Sequence, residues 1–208
     1  MVRAVDRFQR REVLADMKRG VREARAAARR SPAGREAGVR RRAKDAILAR
    51  LGDLRALEGC VGQPDNVAAH HAMRIAAKRL RYTLEVFRPL FGKALEKFIA
   101  AARHAQQMLG EIHDCDVWVD FLPRFLEKER ARSAGRKGAA KRMARAKPGL
   151  AFLEEDRRRY RAQRFEAFAA FWQTLRTDGL WERLVALAGA PPAARRSRRA
   201  GAAPSQAA

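Results

Sequence analysis

His71-Ala72-Met73-Arg74-Ile75-Ala76-Ala77-Lys78-Arg79-Leu80-Arg81-Tyr82-Thr83-Leu84-Glu85-Val86-Phe87 is the stretch whose reading decides the fold. At about 100° per residue, Met73, Ala76, Ala77, Leu80, Leu84 and Phe87 gather on one side of a helix. His71, Arg74, Lys78 and Arg81 gather on the opposite side, with Arg79 at its edge. Ordinary surface helices mix charge signs on their wet face, often with Glu four residues before Lys or Arg. Here cations recur at i, i+4 and i+7 with only Glu85 to oppose them. Mutual repulsion costs stability, so the pattern suggests a polyanion that relieves it.

The rest of the chain agrees with a helical reading. Val, Ile and Thr together supply eighteen of 208 residues, while Ala, Arg and Leu dominate. That composition favours helices and leaves a sheet little to work with. We therefore expect an all-α fold, an antiparallel helical bundle of about six to seven helices. Lys and Arg number 46 against 23 Asp and Glu, a formal charge of +23. An excess of that size speaks to partners and solubility rather than to fold, and leaves nucleic acid, a membrane surface and a phosphate polymer as candidates.

Cys60 and Cys115 have no spacing that suggests a disulfide framework or a zinc site, and read as reduced thiols. The first residues, Met1-Val2-Arg3-Ala4-Val5-Asp6-Arg7, reach a charge too soon for a signal peptide. No run of about 18 apolar residues occurs, so no membrane span and no membrane partner is expected. Together these point to a cytoplasmic location.

Along the chain, residues 4–30 read as a charged helix that Ser31-Pro32-Ala33-Gly34 breaks. A second helix is predicted over 35–59, with Val39, Ala43, Ile47, Leu51, Leu54 and Leu57 at helical spacing. Gly62-Gln63-Pro64-Asp65-Asn66 is a turn that could cap a helix over 66–90, and Gly92 marks a short interruption. Leu95, Phe98, Ile99, Ala102, Ala105, Leu109 and Ile112 form the next apolar stripe. Gly110 and Asp114 then read as a helix end and restart, with Asp114 the N-cap of a helix through Leu126.

From Ala131 to Gly149 the chain has seven basic residues, no acidic ones, three glycines and a proline, which reads as a mobile basic loop. Helices over 150–176 and 180–187 follow. The segment 191–208, with Arg195-Arg196-Ser197-Arg198-Arg199, reads as a disordered basic tail beyond a helical domain of residues 1–190.

The predicted 150–176 helix conflicts with simple amphipathicity. Leu153, Tyr160, Phe168, Phe171 and Leu175 make one stripe, and Arg157, Arg161 and Arg164 fall on it. Burying guanidinium groups without partners is prohibitive. Either carboxylates from other helices meet them, or this part of the stripe lines a wet channel. The channel reading matches the one-sided charge of the 71–85 helix.

These residues resemble a known family. His71-x-x-Arg74-x-x-x-Lys78-Arg79-Leu80-Arg81-Tyr82, followed by Gln106-x-x-Leu109-Gly110-Glu111-x-x-Asp114, is similar to the CHAD domain, the conserved-histidine α-helical domain. The resemblance is best to that family's second half, over about 66–130, with weaker agreement around 150–176. It implies a helical bundle whose basic residues line a cavity that binds inorganic polyphosphate, a binding and targeting module rather than an enzyme. His71 and Arg74 match the residues that name the family, and Lys78, Arg79 and Arg81 match its basic run. Arg103 stands where a basic residue usually precedes the second motif. Arg157, Arg161 and Arg164 extend the set from the helical pattern. The chain also departs from the family: no histidine precedes His70, so the signature of a first half is missing. Residues 1–60 are then a degenerate first half, or a homodimer completes a two-half domain.

The expected ligand is thus inorganic polyphosphate, with no cofactor, no metal and no catalytic residue, and association with polyphosphate granules. A phosphate strand has no bases, so it is held by cations and donors, among which arginine's planar fork suits bridging oxygens. Few aromatics stand among the basic runs apart from Tyr82 and Tyr160, which disfavours single-stranded nucleic acid. Duplex binding needs none, so a nucleic-acid-binding protein is the first alternative. The second is a metal-dependent phosphohydrolase, suggested by His71 followed by His113-Asp114. Adjacent residues on a helix point about 100° apart, so Glu111, His113, Asp114, Cys115 and Asp116 cannot all face one ion. His71 reads equally as a phosphate contact or a structural histidine, His70 as exposed, and Asp114 as a cap or an arginine's partner.

Overall fold

The structure, a computed structural model, describes residues 19–20, 32–134, 136 and 138–190. Among these, every regular element is helical. Helix α1 is Pro32–Arg55, α2 is Val67–Phe91, α3 is Glu96–Ser133, α4 is Ala139–Thr177 and α5 is Leu180–Gly189. Short 3-10 turns at Glu58–Gly62 and Gly92–Leu95 join α1 to α2 and α2 to α3. Arg19 and Gly20 are helical. The rest of the helix expected over 4–30 and the tail expected over 191–208 lie outside the described residues.

The starts and stops have local causes. Pro32 opens α1, as suits a residue with fixed φ and no N–H to satisfy. Asn66 caps α2: its Oδ1 accepts the Ala69 N–H at 3.1 Å, while its Nδ2 donates to Gln63 Oε1 at 2.7 Å. Gly92 ends α2 with a φ of 60°, a conformation costly for any residue with a Cβ.

The core gathers around the apolar side of α2. Met73, Ala77, Leu80 and Leu84 are fully buried there. They pack with Ile47, Leu51 and Leu54 of α1, Phe98, Ala102, Ala105, Leu109 and Ile112 of α3, and Phe165, Phe168 and Trp172 of α4. Trp181 of α5 closes the cluster, its ring 5.8 Å from that of Trp172, whose Nε1 donates to Glu58 Oε1 at 2.9 Å. Truncating a residue such as Leu80 to Ala would cost about 2–5 kcal/mol.

Three expectations are corrected. Helix α3 runs unbroken through Gly110 and Asp114, so Asp114 is an exposed mid-helix residue and no N-cap. A helical Gly costs only about 1 kcal/mol relative to Ala, and burial of Met108, Leu109 and Ile112 around it outweighs that. Of the expected basic loop over 131–149, the described residues are helical except Ala134, Arg136 and Gly138. Its Ala, Arg, Lys and Met content is intrinsically helix-favouring, and that propensity prevails over like-charge repulsion and over Pro148 within α4. Five α-helices stand among the described residues where six to seven were expected of the whole chain: two predicted helices are the single α3, and the helix expected over 4–30 falls outside the described residues but for Arg19 and Gly20.

Candidate functional site

Helices α2 and α3 run past one another in opposite directions, and this sets the register of the site. Near the start of α2, the His71 ring meets the His113 ring with centroids 4.6 Å apart. Near its end, Glu85 accepts from Arg103 Nη2 at 3.2 Å. Between these two contacts the polar side of α2 lies along α3 for fourteen residues, about 21 Å at 1.5 Å per residue.

Arg74, Lys78 and Arg81 lie on the side of α2 that carries His71 and Glu85, whereas Arg79 is turned about 140° from Arg74 around the helix; all four are half-buried. Arg74 Nε is shielded from solvent and no protein group accepts its hydrogen. Arg81 stacks its guanidinium over the Tyr82 ring at 4.5 Å and places Nη1 3.5 Å from Glu85 Oε1, yet its Nε also has no acceptor. Opposite them on α3, Gln106 Oε1 is buried without a hydrogen-bond donor. Buried polar atoms are normally satisfied by protein or by water. Unmet donors on two neighbouring arginines therefore mark a seam that water or a ligand must complete. Arg103 sits at the outer end, its side chain 60 % exposed.

The arginines of α4 stand differently. Of the two arrangements open from sequence, carboxylates from another helix meet two of them. Arg161 is 14 % exposed, pairs through Nε with Asp116 Oδ1, and donates through Nη1 to the Pro64 carbonyl at 2.8 Å. Arg164 Nε lies 2.5 Å from Glu111 Oε2 as an ion pair without hydrogen-bond alignment, and Arg161 Nη2 has no acceptor either. Asp116 and Glu111 are five residues apart and so about 140° apart around α3. Arg161 and Arg164 therefore grip opposite flanks of the strip of α3 that α4 covers, and they do not converge on one hollow. Arg157 donates to its neighbour Asp156 through Nε at 3.1 Å and Nη2 at 2.5 Å, and this bond raises its pKa further above the usual arginine value. The Tyr160 ring lies between Arg157 and Arg164, 5.4 and 5.9 Å from their guanidinium carbons.

Two further residues depart from expectation. His70 is buried rather than exposed: its Nε2 donates to the Cys60 carbonyl at 3.1 Å and its ring packs on Phe165 at 5.0 Å. It falls on the same helical side as Met73 and Ala77, which the spacing permits. His113, considered only as a metal ligand, instead faces His71. The signal that could have found this contact is the short α2–α3 connection, which forces residues with a nearly constant number sum to lie opposite one another. Among the described residues no group of three His, Cys, Asp or Glu is placed to hold a metal ion. Burial pushes the Cys115 thiol above the usual thiol range, partly offset by the nearby Arg157, and burial raises Cys60 likewise. Among the described residues no helix is long and apolar enough to cross a membrane.

An all-helical protein with a cationic seam between two paired helices is thus the class that fold and site define. The chain belongs to the CHAD domain family, whose model matches residues 1–123. The match takes in the stretch expected to be a degenerate first half and all of the α2–α3 seam up to Arg103 and His113. It stops before α4, so Arg157, Arg161 and Arg164 lie beyond it. Neither a curated protein nor a solved structure gives a match to the chain.

Proposed function

We propose that this chain binds inorganic polyphosphate along the α2–α3 seam, as a binding module without a covalent step, and that it acts in the cytoplasm at polyphosphate granules. The observation that carries the reading is the pair of shielded, unaccepted Nε–H groups on Arg74 and Arg81. They share one helix side with Lys78, and Arg79 stands on the adjoining flank. Phosphate oxygens would accept those hydrogens and neutralise the crowded charge, which no uncharged ligand can do. Arg74, Lys78, Arg79 and Arg81 make the direct contacts in this reading, Arg103 extends the path outward, and His71 is held against His113 at the inner end. Arg161 and Arg164, already engaged by Asp116 and Glu111, hold α4 onto α3. Membership of the CHAD family supports the ligand class.

Association driven by release of counterions weakens linearly on a log–log scale as salt rises. A titration with size-defined polyphosphate across a salt series, with duplex DNA as competitor at equal phosphate concentration, tests the reading. We expect a slope of about −3 to −4, set by the four α2 cations, and preference for polyphosphate. Equal or stronger binding of DNA would transfer the site to nucleic acid.

A further inference from the structure

The far end of the α3–α4 hairpin carries a second cationic feature that the seam does not use. A cavity of about 460 Å³ lies where α3 turns into α4, lined by Arg130, Ser133, Arg136, Met143 and Lys147, among others. From Arg130 to Lys147 the chain has eight basic residues and no carboxylate. Arg142 folds back over the turn, with Nη1 close above Gly138. Among the described residues Arg130, Arg136 and Lys147 make no ion pair, whereas Arg132 just outside the cavity is held by Glu129 at 3.4 Å. Helices carrying so many like charges repel themselves unless an anion sits among them.

The waist between this tip and the seam is different in charge. Asp120 on α3 pairs with Arg124 at 2.6 Å, and on α4 Glu154 pairs with Arg158 at 2.6 Å and Asp156 with Arg157. The basic surface is therefore divided into two clusters by a largely self-neutralised band. Arg130 lies seventeen residues beyond His113 on α3, about 25 Å along the helix axis. A small anion can occupy one cluster only. A long flexible polyanion can reach both.

We infer that the cavity at the α3–α4 turn is a second polyphosphate subsite, which holds a distant stretch of the chain already bound in the seam and so makes affinity depend on chain length. This rests on the polyphosphate reading of the seam. Once one stretch is bound, the next is presented to the tip at high local concentration, and the two weak attachments multiply. Nothing similar follows for an oligophosphate too short to cross the waist.

The test compares tripolyphosphate, too short to span the two clusters, with long-chain polyphosphate on the full chain at fixed salt. Two triple variants are used. One removes the tip cations (Arg130→Ala, Arg136→Ala, Lys147→Ala), and the other removes exposed cations elsewhere (Arg41→Ala, Lys44→Ala, Arg183→Ala). The tip variant should lose about 10- to 100-fold in affinity for the long chain, with tripolyphosphate affinity and helicity unchanged. The control variant should lose much less. Equal long-chain affinity in the tip variant and the parent overturns the tip subsite while leaving the seam intact. Equal losses in both triple variants also overturn it, because overall charge then suffices. A parent that binds neither ligand removes the seam reading and the subsite together.

Discussion

The arginines of α2 and those of α4 look alike in sequence and are used in opposite ways. In each helix they recur at intervals of three or four residues beside an apolar stripe. On α2, Glu85 at the far end of the seam meets Arg81, while Arg74 Nε and Arg81 Nε are shielded donors that nothing accepts. On α4 Arg161 Nη2 and Arg164 Nε likewise lack an acceptor, and what differs is that each arginine there pairs with a carboxylate, two of them across the interface on α3. Charge periodicity alone does not separate a ligand-facing cation from a structural one. The separation comes from what the opposing helix presents: Gln106 and His113 opposite α2, but Glu111 and Asp116 opposite α4.

Removing the seam charges should break this contrast most sharply. Arg74→Ala, Lys78→Ala and Arg81→Ala together should lower polyphosphate affinity on the order of 100- to 1000-fold, or about 3–4 kcal/mol. The salt slope should become shallower by about three. Circular dichroism should be unchanged, because these side chains lie off the core. A triple variant that binds like its parent would place the site elsewhere.

The converse prediction concerns stability. Asp116→Ala leaves Arg161, only 14 % exposed, with the Pro64 carbonyl as its remaining partner. Breaking a buried pair from one side costs about 3–5 kcal/mol, and residual exposure with the surviving carbonyl bond reduces this to ~2 kcal/mol. The loss should appear in denaturant unfolding, while polyphosphate affinity at low denaturant changes by less than about 3-fold, under 1 kcal/mol. A large affinity loss with little unfolding effect would mean that Arg161 belongs with the ligand-facing set.

Much of this fold could be read from sequence because its governing signals are local. The α2 stripe of Met73, Ala77, Leu80 and Leu84 is buried as its spacing required, and Asn66 and Gly92 bound the helix where turn chemistry placed the boundaries. The failures occur where local and tertiary effects compete. Gly110 and Asp114 carry the signature of a helix boundary, but Met108, Leu109 and Ile112 are buried on both sides of the glycine, and packing outweighs it. The 131–149 stretch has a loop's charge and glycine content, yet its alanines and long basic side chains favour a helix. In the site, the α2 cations were legible because one helix displays them. The clasps Arg161–Asp116 and Arg164–Glu111 were not, because each joins residues more than forty positions apart, and which carboxylate meets which arginine depends on interhelical register.

The finest test of the contrast lies at Glu85, where a carboxylate enters the ligand-facing set. Its Oε1 is 3.5 Å from Arg81 Nη1 and 3.2 Å from Arg103 Nη2, and its side chain is one-third exposed. A phosphate approaching those two arginines must compete with it. Pairs this exposed contribute about 0–1 kcal/mol to stability, so Glu85→Gln should unfold almost as the parent does. Its amide keeps the shape and removes the charge, leaving two guanidinium groups free to meet the ligand. Polyphosphate affinity should rise about 2- to 5-fold, or ~0.5–1 kcal/mol, and the salt slope should steepen as Arg103 joins the contacts. A fall in affinity would mean that Glu85 aims Arg81 and Arg103 rather than occupying them. The outer end of the seam would then work as the α4 clasps do, through arginines fixed by carboxylates.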